Sequence, residues 1–233
     1  MRKSNKIDRR KKYYMVLDTE TCPIDRECQD VTPENMLVYD IGYAIVDKKG
    51  NVYRTGSYVI SDVFFKEFYS KMQSSYYAKK IPNYMQDIGE NKRKVKSWGE
   101  ISFILREVIQ EFKVAAIVAH NARFDFGALK NTKEYLNQYA MLPFMTWYDS
   151  LKMARSVVAE MPTYKQFCQD NRYITKTGKC KLTAEVLYRY ISGNDDFKES
   201  HTALEDCIIE KEILAYCFKQ RKKMTRLLFN KVV

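Results

Sequence analysis

Val16-Leu17-Asp18-Thr19-Glu20-Thr21 decides how this 233-residue chain is read. The apolar run from Tyr13 to Leu17 predicts a strand, and it ends in two carboxylates. Side chains of a strand alternate between its faces, so Asp18 and Glu20 project to the same side. Two acids that close repel each other and lose hydration when partly buried. A strand end facing water tolerates the pair; a fold that buries it needs positive charge between the two. Divalent Mg²⁺ or Mn²⁺ meets that need, because both prefer carboxylate oxygen.

Outward from that stretch, Cys22 to Pro33 reads as a polar connection. Val38 to Val46 and Val52 to Ile60 are β-rich runs on either side of the turn residues Asp47-Lys48-Lys49-Gly50-Asn51. They predict a hairpin extending the first strand into three antiparallel strands. In residues 62–96, Phe64, Phe65, Phe68, Tyr69 and Met72 recur at helical spacing, with Tyr76, Tyr77 and Tyr84 beyond them. This aromatic stripe reads as core, although aromatics beside basic residues also stack bases. Ser97 and Glu100 have capping-box spacing ahead of the apolar face Ile101, Ile104, Leu105, Val108, Ile109 and Phe112. Val114 to Ala119 is wholly apolar and suits a central strand buried on both faces. A helix follows it through Leu129. Phe144 to Tyr148 predicts a second short strand, and helices are expected over Ser150–Val158, Pro162–Asn171, Leu182–Tyr190 and Thr202–Phe218. Antiparallel strands followed by alternating strand and helix imply an α/β protein with a mixed sheet and helices on its faces.

Composition narrows the class. Hydrophobic residues make up 45% and charged residues 30%, an ordinary globular balance. The length suits one domain with a sizeable core, and 8 Gly and 5 Pro leave no long linker. Six cysteines include no Cys-x-x-Cys pair, which argues against a zinc ribbon or dithiol motif and for free thiols in a reducing cytoplasm. No apolar run approaches the ~20 residues of a membrane helix. A soluble cytoplasmic protein is the expectation. The net charge of +11 is uneven: residues 1–12 hold seven Lys/Arg against one Asp, and residues 219–233 hold six Lys/Arg and no acid. Two basic tails thus bracket a body, 13–218, that is close to neutral. Such tails attract phosphate backbones or serve as solvated ends. Lys92-Arg93-Lys94-Val95-Lys96 is a third basic run, a phosphate contact or a charged loop.

Two further segments carry acids beside a histidine. Asp125 closes His120-Asn121-Ala122-Arg123-Phe124-Asp125, just after the buried strand. Asp206 closes His201-Thr202-Ala203-Leu204-Glu205-Asp206. Thr202 and Glu205 have capping-box spacing, which starts the last helix at Thr202. Asp206 then lies in its first turn, where the helix dipole favours a carboxylate. His201 falls on the preceding loop, from which it can approach a substrate.

Asp-x-Glu on the first strand, His-Asn-x-x-Phe-Asp and His-x-x-x-x-Asp together resemble the three motifs of the proofreading-type (DnaQ-like) DEDDh 3′→5′ exonucleases. Order and spacing agree from Tyr13 to about Phe218. Asp149-Ser150-Leu151-Lys152-Met153-Ala154-Arg155 resembles the family's strand-to-helix segment between the second and third motifs. The extended segment 62–96 departs from compact members and is most similar to phage-encoded ones. The resemblance implies a ribonuclease H-like fold, a five-stranded mixed sheet flanked by helices. It implies a catalytic set of Asp18, Glu20, Asp125, His201 and Asp206, with the four acids holding two divalent ions. Thr19, Asn121 and Phe124 match positions near the terminal nucleotide, Thr19 through its backbone; Phe124 suits the core equally well.

The chemistry agrees. Phosphodiester hydrolysis needs an activated water, a stabilised pentacoordinate charge and a supported leaving oxygen, and two metals can supply all three. Imidazole titrates near neutral pH, which suits His201 as the base. His120 ends a buried strand and reads as structural; Asp149 opens a helix and reads as its cap rather than a fifth ligand. The implied substrate is the 3′ end of single-stranded DNA, in proofreading, repair or phage DNA metabolism, with release of nucleoside 5′-monophosphates. Trimming of RNA or short oligonucleotides is the alternative, because recognition of the 2′-hydroxyl depends on pocket detail. A scaffold that only binds nucleic acid or a polymerase is a third reading, against which the intact set of five residues argues. Arg226-Leu227-Leu228-Phe229 resembles peptides that hook onto sliding clamps; packing on the body is the favoured reading of that cluster.

Overall fold

Alternation along the first strand divides the core in two. β1 runs Tyr14–Pro23. Met15 and Leu17, with Tyr13 before the strand, enter one apolar cluster, and Tyr14 and Val16 enter the other. The computed structural model describes residues 7–25, 31–66, 72–73, 78–138 and 145–229. β2 (Met36–Val46) pairs antiparallel with β1, and β3 (Val52–Ile60) antiparallel with β2, as the hairpin pattern predicts. The turn is fixed by Asp47, whose Oδ1 accepts the N–H groups of Lys49 (2.8 Å) and Asn51 (3.2 Å). β4 (Lys94–Lys96) runs parallel to β3, β5 (Ala116–Ala119) parallel to β1, and β6 (Trp147–Asp149) parallel to β5. Sheet order is β4-β3-β2-β1-β5-β6.

The sheet has six strands among the described residues, not the expected five. The sixth, β4, lies inside the basic run 92–96, where three residues with two lysines give no strand pattern. Lysines on an edge strand also discourage pairing with another chain. Arg93 of the same run sits in the bend before β4 and is not a surface phosphate contact: it is buried and ion-paired with Asp40 at 2.8 Å. β1 also outruns its expected end. It continues past the acids to Pro23, and its register against β2 slips between Glu20 and Thr21. Such a bulge bends a strand and re-aims its side chains.

Helices cover both faces. α1 (Ser61–Phe64), α2 (Ile81–Gly89), α3 (Trp98–Phe112) and α4 (Ala122–Tyr135) pack on the Tyr13 side. α5 (Ser150–Val157), α6 (Pro162–Asp170), α7 (Ala184–Ser192) and α8 (Ala203–Lys219) pack on the Tyr14 side. The Ser97 box forms as expected: Ser97 N–H donates to Glu100 Oε2 (2.9 Å), and Ser97 Oγ accepts from Glu100 N (3.3 Å). Of the aromatic stripe, Phe64, Met72 and Tyr84 are core, with the Tyr84 and Phe64 rings 5.7 Å apart. Phe65 is exposed, and Phe68, Tyr69, Tyr76 and Tyr77 lie outside the described residues. Among the described residues no helix is long and apolar enough to cross a membrane.

After α8 the chain returns along the free edge of β6. Asp149 N–H donates to Arg226 O (2.8 Å) and Leu228 N–H to Trp147 O (2.9 Å), while the Lys152 ammonium donates to Leu228 O (2.9 Å). Leu228 is buried and the Phe229 ring meets Phe126 at 5.0 Å. The Arg226–Phe229 cluster therefore packs on the body, as favoured.

The last helix presses directly on β2. A Cβ at Gly42 would stand 2.3 Å from Leu204 N and 2.4 Å from Ala203 C, so only glycine admits this approach. Gly42→Ala is expected to destabilise by about 2 kcal/mol through overpacking, a fall of about 4–8 °C in thermal midpoint for a chain of this size. Gly89→Ala, where no atom lies within 4 Å of the added carbon, serves as the control and should leave the midpoint unchanged or slightly raised.

Candidate active site

The carboxylates arrive from three elements. Asp18 and Glu20 leave β1 on the side of Tyr14 and Val16, the side that α8 covers. In register, Asp18 lies opposite Gly42 and Glu20 opposite Asp40 on β2. The close approach at Gly42 brings the first turn of α8, and Asp206 with it, against these acids. Asp206 is 5% exposed. Asp125 sits in the first turn of α4 at 4% exposure, and its Oδ1 accepts the Thr19 hydroxyl at 2.8 Å. The Thr19 side chain thus fixes Asp125 from the opposite face of β1.

His201 stands on the loop before α8, as the capping pattern implied, in the left-handed region (φ 55°). Its side chain is 54% exposed, with Nδ1 3.9 Å from Glu199 Oε2. Ligand atoms of Glu20, His201 and Asp206 lie within 4.8 Å of one another. The Lys80 ammonium donates to Glu20 Oε2 (3.2 Å) and to the His201 carbonyl (3.2 Å), tying segment 62–96 to both. Asn121 is left-handed (φ 64°) at the start of α4. Its N–H donates to Asp149 Oδ1 (3.2 Å), which also accepts from Leu151 N (3.0 Å) and Lys152 N (3.4 Å). Asp149 is therefore the expected cap. Phe124 is half-buried and belongs to neither apolar cluster, contrary to its core reading.

His120 is structural, as expected. Its Nε2 lies 2.7 Å from Leu182 O and its Nδ1 2.9 Å from Ser150 Oγ. A carbonyl only accepts, so Nε2 carries the proton and Nδ1 accepts from the serine hydroxyl. Burial pushes this imidazole's pKa down.

The Thr202 capping box does not form. The Thr202 hydroxyl donates to the Glu205 carboxylate instead of accepting a helix N–H. The Ala203 N–H goes to Asp40 Oδ2 (3.2 Å), which also accepts from the Tyr84 hydroxyl (2.7 Å) and Arg93 Nη1 (2.8 Å). A buried charged acceptor on β2 replaces the local cap.

Burial dominates the electrostatics. It holds the Asp18 carboxyl well above the usual range, and the charges of Glu210, Asp125, Glu20 and Asp206 push the same way. Burial takes Glu20 to about 7 against the pull of Lys80. It takes Asp125 to about 7 despite the Thr19 hydrogen bond. Asp206 rises to about 8, again by burial first, with Glu199 and Glu20 adding to it and Lys80 opposing. Glu210, one turn beyond Asp206 and 3% exposed, is raised well above its ordinary value by burial and by Asp125 and Asp206. Asp206 Oδ1 and Glu210 Oε2 are buried oxygens without a hydrogen-bond partner. Orphaned hard oxygens amid mutually repelling carboxyls fit a divalent Mg²⁺ or Mn²⁺.

Three contributors escape a reading of the sequence. Glu210 has one signal, its i,i+4 spacing from Asp206. Asp40 has one, an acid inside the apolar run Val38–Val46. Lys80 has none, because nothing local ties it to residues 60 and 121 positions away.

By sequence, no protein family and no curated protein matches this chain. Solved structures do. The nuclease domain of 3′hExo, a DEDDh family member bound to rAMP, superposes with TM-score 0.62 at 7% identity, covering 95% of this chain and 100% of that one. A full-length 3′-exonuclease superposes with TM-score 0.61 at 8% identity, covering 96% and 92%. Exonuclease X in complex with 5′-overhanging duplex DNA gives 0.38 at 14% identity, too slight a likeness to argue from. At these identities the likeness is one of fold: a mixed sheet flanked by helices, shared with the 3′hExo nuclease domain and the full-length 3′-exonuclease.

A carboxyl whose folded pKa lies above its unfolded value of about 4 stabilises the fold below that pH and loses the contribution as pH rises through the folded pKa. Glu20 and Asp125 at about 7 and Asp206 at about 8 set the window. The thermal midpoint of the metal-free protein should therefore fall between about pH 5 and about pH 8. Excess Mn²⁺ should raise the midpoint more at the upper end, where the carboxylates are free of protons. A midpoint that is flat or rising over this range in the absence of metal would contradict the burial of these acids.

Proposed function

We propose that this chain is a metal-dependent 3′→5′ exonuclease. The observation that supports the reading is the convergence of Asp18, Glu20, Asp125 and Asp206 beside the exposed His201. The substrate is taken to be the 3′ end of single-stranded DNA, in proofreading, repair or phage DNA metabolism. The catalytic unit is taken as residues 13–218, with the basic ends holding phosphates. Asp18, Glu20, Asp125 and Asp206 would hold two divalent cations, Mg²⁺ or Mn²⁺. Bound there, these supply Lewis-acid activation of water and charge stabilisation at phosphorus.

The protein's own groups do the rest. His201, on its exposed loop, takes the proton of the attacking water, and Glu199, 3.9 Å from Nδ1, stabilises the imidazolium that forms. The water oxygen bonds to phosphorus as the bond to the 3′-oxygen breaks, and that oxygen leaves with a proton from solvent. The product is a nucleoside 5′-monophosphate. Thr19 holds Asp125 by its hydroxyl and meets the 3′ end by its backbone, while Asn121 and the half-exposed Phe124 ring flank the terminal nucleotide. A non-catalytic scaffold would have no use for buried, unpartnered carboxylate oxygens, which incur a desolvation penalty.

The test is degradation of 5′-labelled single-stranded DNA, RNA and duplex DNA side by side with Mg²⁺ or Mn²⁺. Stepwise shortening of the single-stranded DNA is expected. RNA stands beside it because the 3′hExo nuclease domain holds rAMP; shortening of RNA alone would transfer the substrate to RNA. Asp18→Ala should abolish shortening. His201→Asn should lose about 10²–10⁴-fold in rate, the usual range for a lost general base, with Mn²⁺ affinity retained. Binding without shortening of any substrate would overturn the proposal.

A further inference from the structure

At the end of the sheet away from the acids, basic residues from distant parts of the chain come together. A recess of about 480 Å³ opens there, lined by Arg10, Lys11 and Lys12 ahead of β1 and by Asp47, Lys48 and Lys49 of the β2–β3 turn. Its framework is hydrogen-bonded. Lys11 N–H donates to Asp8 O (3.0 Å), and the Tyr13 hydroxyl donates to the same carbonyl (3.2 Å). The Lys11 ammonium donates to the Tyr53 hydroxyl, which donates to Asp47 Oδ2 (2.8 Å). Asp47 in turn shapes the turn through the Lys49 and Asn51 N–H groups. The acids at the recess are committed to this framework. Asp8 pairs with Arg10 at 3.0 Å and Asp47 with Lys11 at 3.6 Å. Glu212, which approaches the turn from α8, is paired with Lys211. Lys12, Lys48 and Lys49 are exposed and, among the described residues, have no ion-pair partner. Solvated ends would leave such cations dispersed. Here they are gathered around one hollow, where like charges repel and an anion between them relieves the repulsion. The second basic end starts beside it. Lys48 Nζ lies 5.8 Å from the centroid of the Phe218 ring, and the exposed residues Lys219, Arg221, Lys222 and Lys223 follow Phe218 in the chain.

We propose that this recess is a second nucleic-acid site, which holds backbone phosphates remote from the acidic centre. It goes beyond the two basic ends, because Lys48 and Lys49 belong to neither. It rests on nucleic acid as the ligand of this chain and not on hydrolysis. In register, Tyr14 lies opposite Val46 and Asp18 opposite Gly42, so the β2–β3 turn and Asp18 stand toward opposite ends of β1. Six residues of extended chain separate Lys12 from Asp18, about 20 Å at ~3.3 Å per residue. A strand whose 3′ end enters the acids meets the recess with its upstream part, so longer chains are held at two places. Lysine is a point charge that meets phosphate and carries no base information, which makes the site indifferent to sequence. None of the residues lining the recess is apolar. A membrane-surface site, by contrast, joins its lysines to apolar side chains that enter the bilayer.

The test is fluorescence anisotropy of a 5′-labelled 20-nucleotide single strand with the full chain, in EDTA so that nothing is degraded, over about 50 to 200 mM salt. Wild type is compared with the triple variant Lys12→Gln, Lys48→Gln, Lys49→Gln, which leaves the Asp47 framework in place. Each ammonium that meets a phosphate of a single strand adds ~0.7 to the fall of log affinity with log salt. The slope of the triple variant should be shallower by about 2, so wild type loses about 20-fold more affinity than the variant over that range. Lys48→Gln with Lys49→Gln alone should flatten the slope by about 1.4 and gives a second reading if the triple variant is poorly folded. Equal slopes in folded protein would overturn the proposal. Binding of phosphatidylserine vesicles, but not of the strand, would overturn it too. If the slopes differ as expected while Mn²⁺ leaves DNA and RNA intact, the recess stands and the exonuclease reading falls. If nucleic acid is degraded and the slopes are equal, the reverse holds.

Discussion

Mutual repulsion among buried carboxyls is the constraint on which this structure turns. Asp18, Glu20, Asp125, Asp206 and Glu210 meet where β1, α4 and α8 come together, and each is desolvated enough to hold its proton far above the normal range. A fold stable in its own right would not choose such a cluster; the surroundings have to hold it in place. They do so with directed contacts: the Thr19 hydroxyl on Asp125, the Lys80 ammonium on Glu20, the His120 N–H on Glu210. Asp125 and Asp206 add the first-turn positions of two helices, where backbone N–H groups favour negative charge.

Three described residues of segment 62–96, Lys80, Tyr84 and Arg93, buttress this cluster. Lys80 reaches Glu20 and the His201 carbonyl. Tyr84 and Arg93 reach Asp40, which lies opposite Glu20 on β2 and accepts the first N–H of α8. These three side chains thereby reach the acid pair, the histidine loop and the start of the last helix. The buried Arg93–Asp40 pair is hydrogen-bonded on both sides, with Asp87 accepting Arg93 Nε at 3.0 Å. All of the hydrogen bonds to Asp40 fall on Oδ2, from Tyr84, Arg93 and Ala203, while its Oδ1 is buried without a partner.

What could be read from the sequence was local. Alternation in β1 told which side Asp18 and Glu20 would take, and the hairpin turn, the Ser97 cap, the Asp149 cap and the structural role of His120 all follow from neighbouring residues. What could not be read was set at a distance. β4 is three residues long and exists because β3 offers it an edge. β1 runs past its acids because β2 pairs with it through a bulge. Thr202 loses its capping role to Asp40, which accepts the Ala203 N–H from 163 positions away. Glu210 reads as one more polar position in a helix until α8 is seen lying against β1.

The central claim is that these carboxyls are gathered to hold divalent cations. Anomalous X-ray scattering from crystals of the full chain soaked in Mn²⁺ tests it most directly. The account predicts anomalous peaks enclosed by Asp18, Glu20, Asp125 and Asp206. Ordered crystals at a pH where the carboxyls are ionised, with no anomalous peak among these four residues, would contradict it.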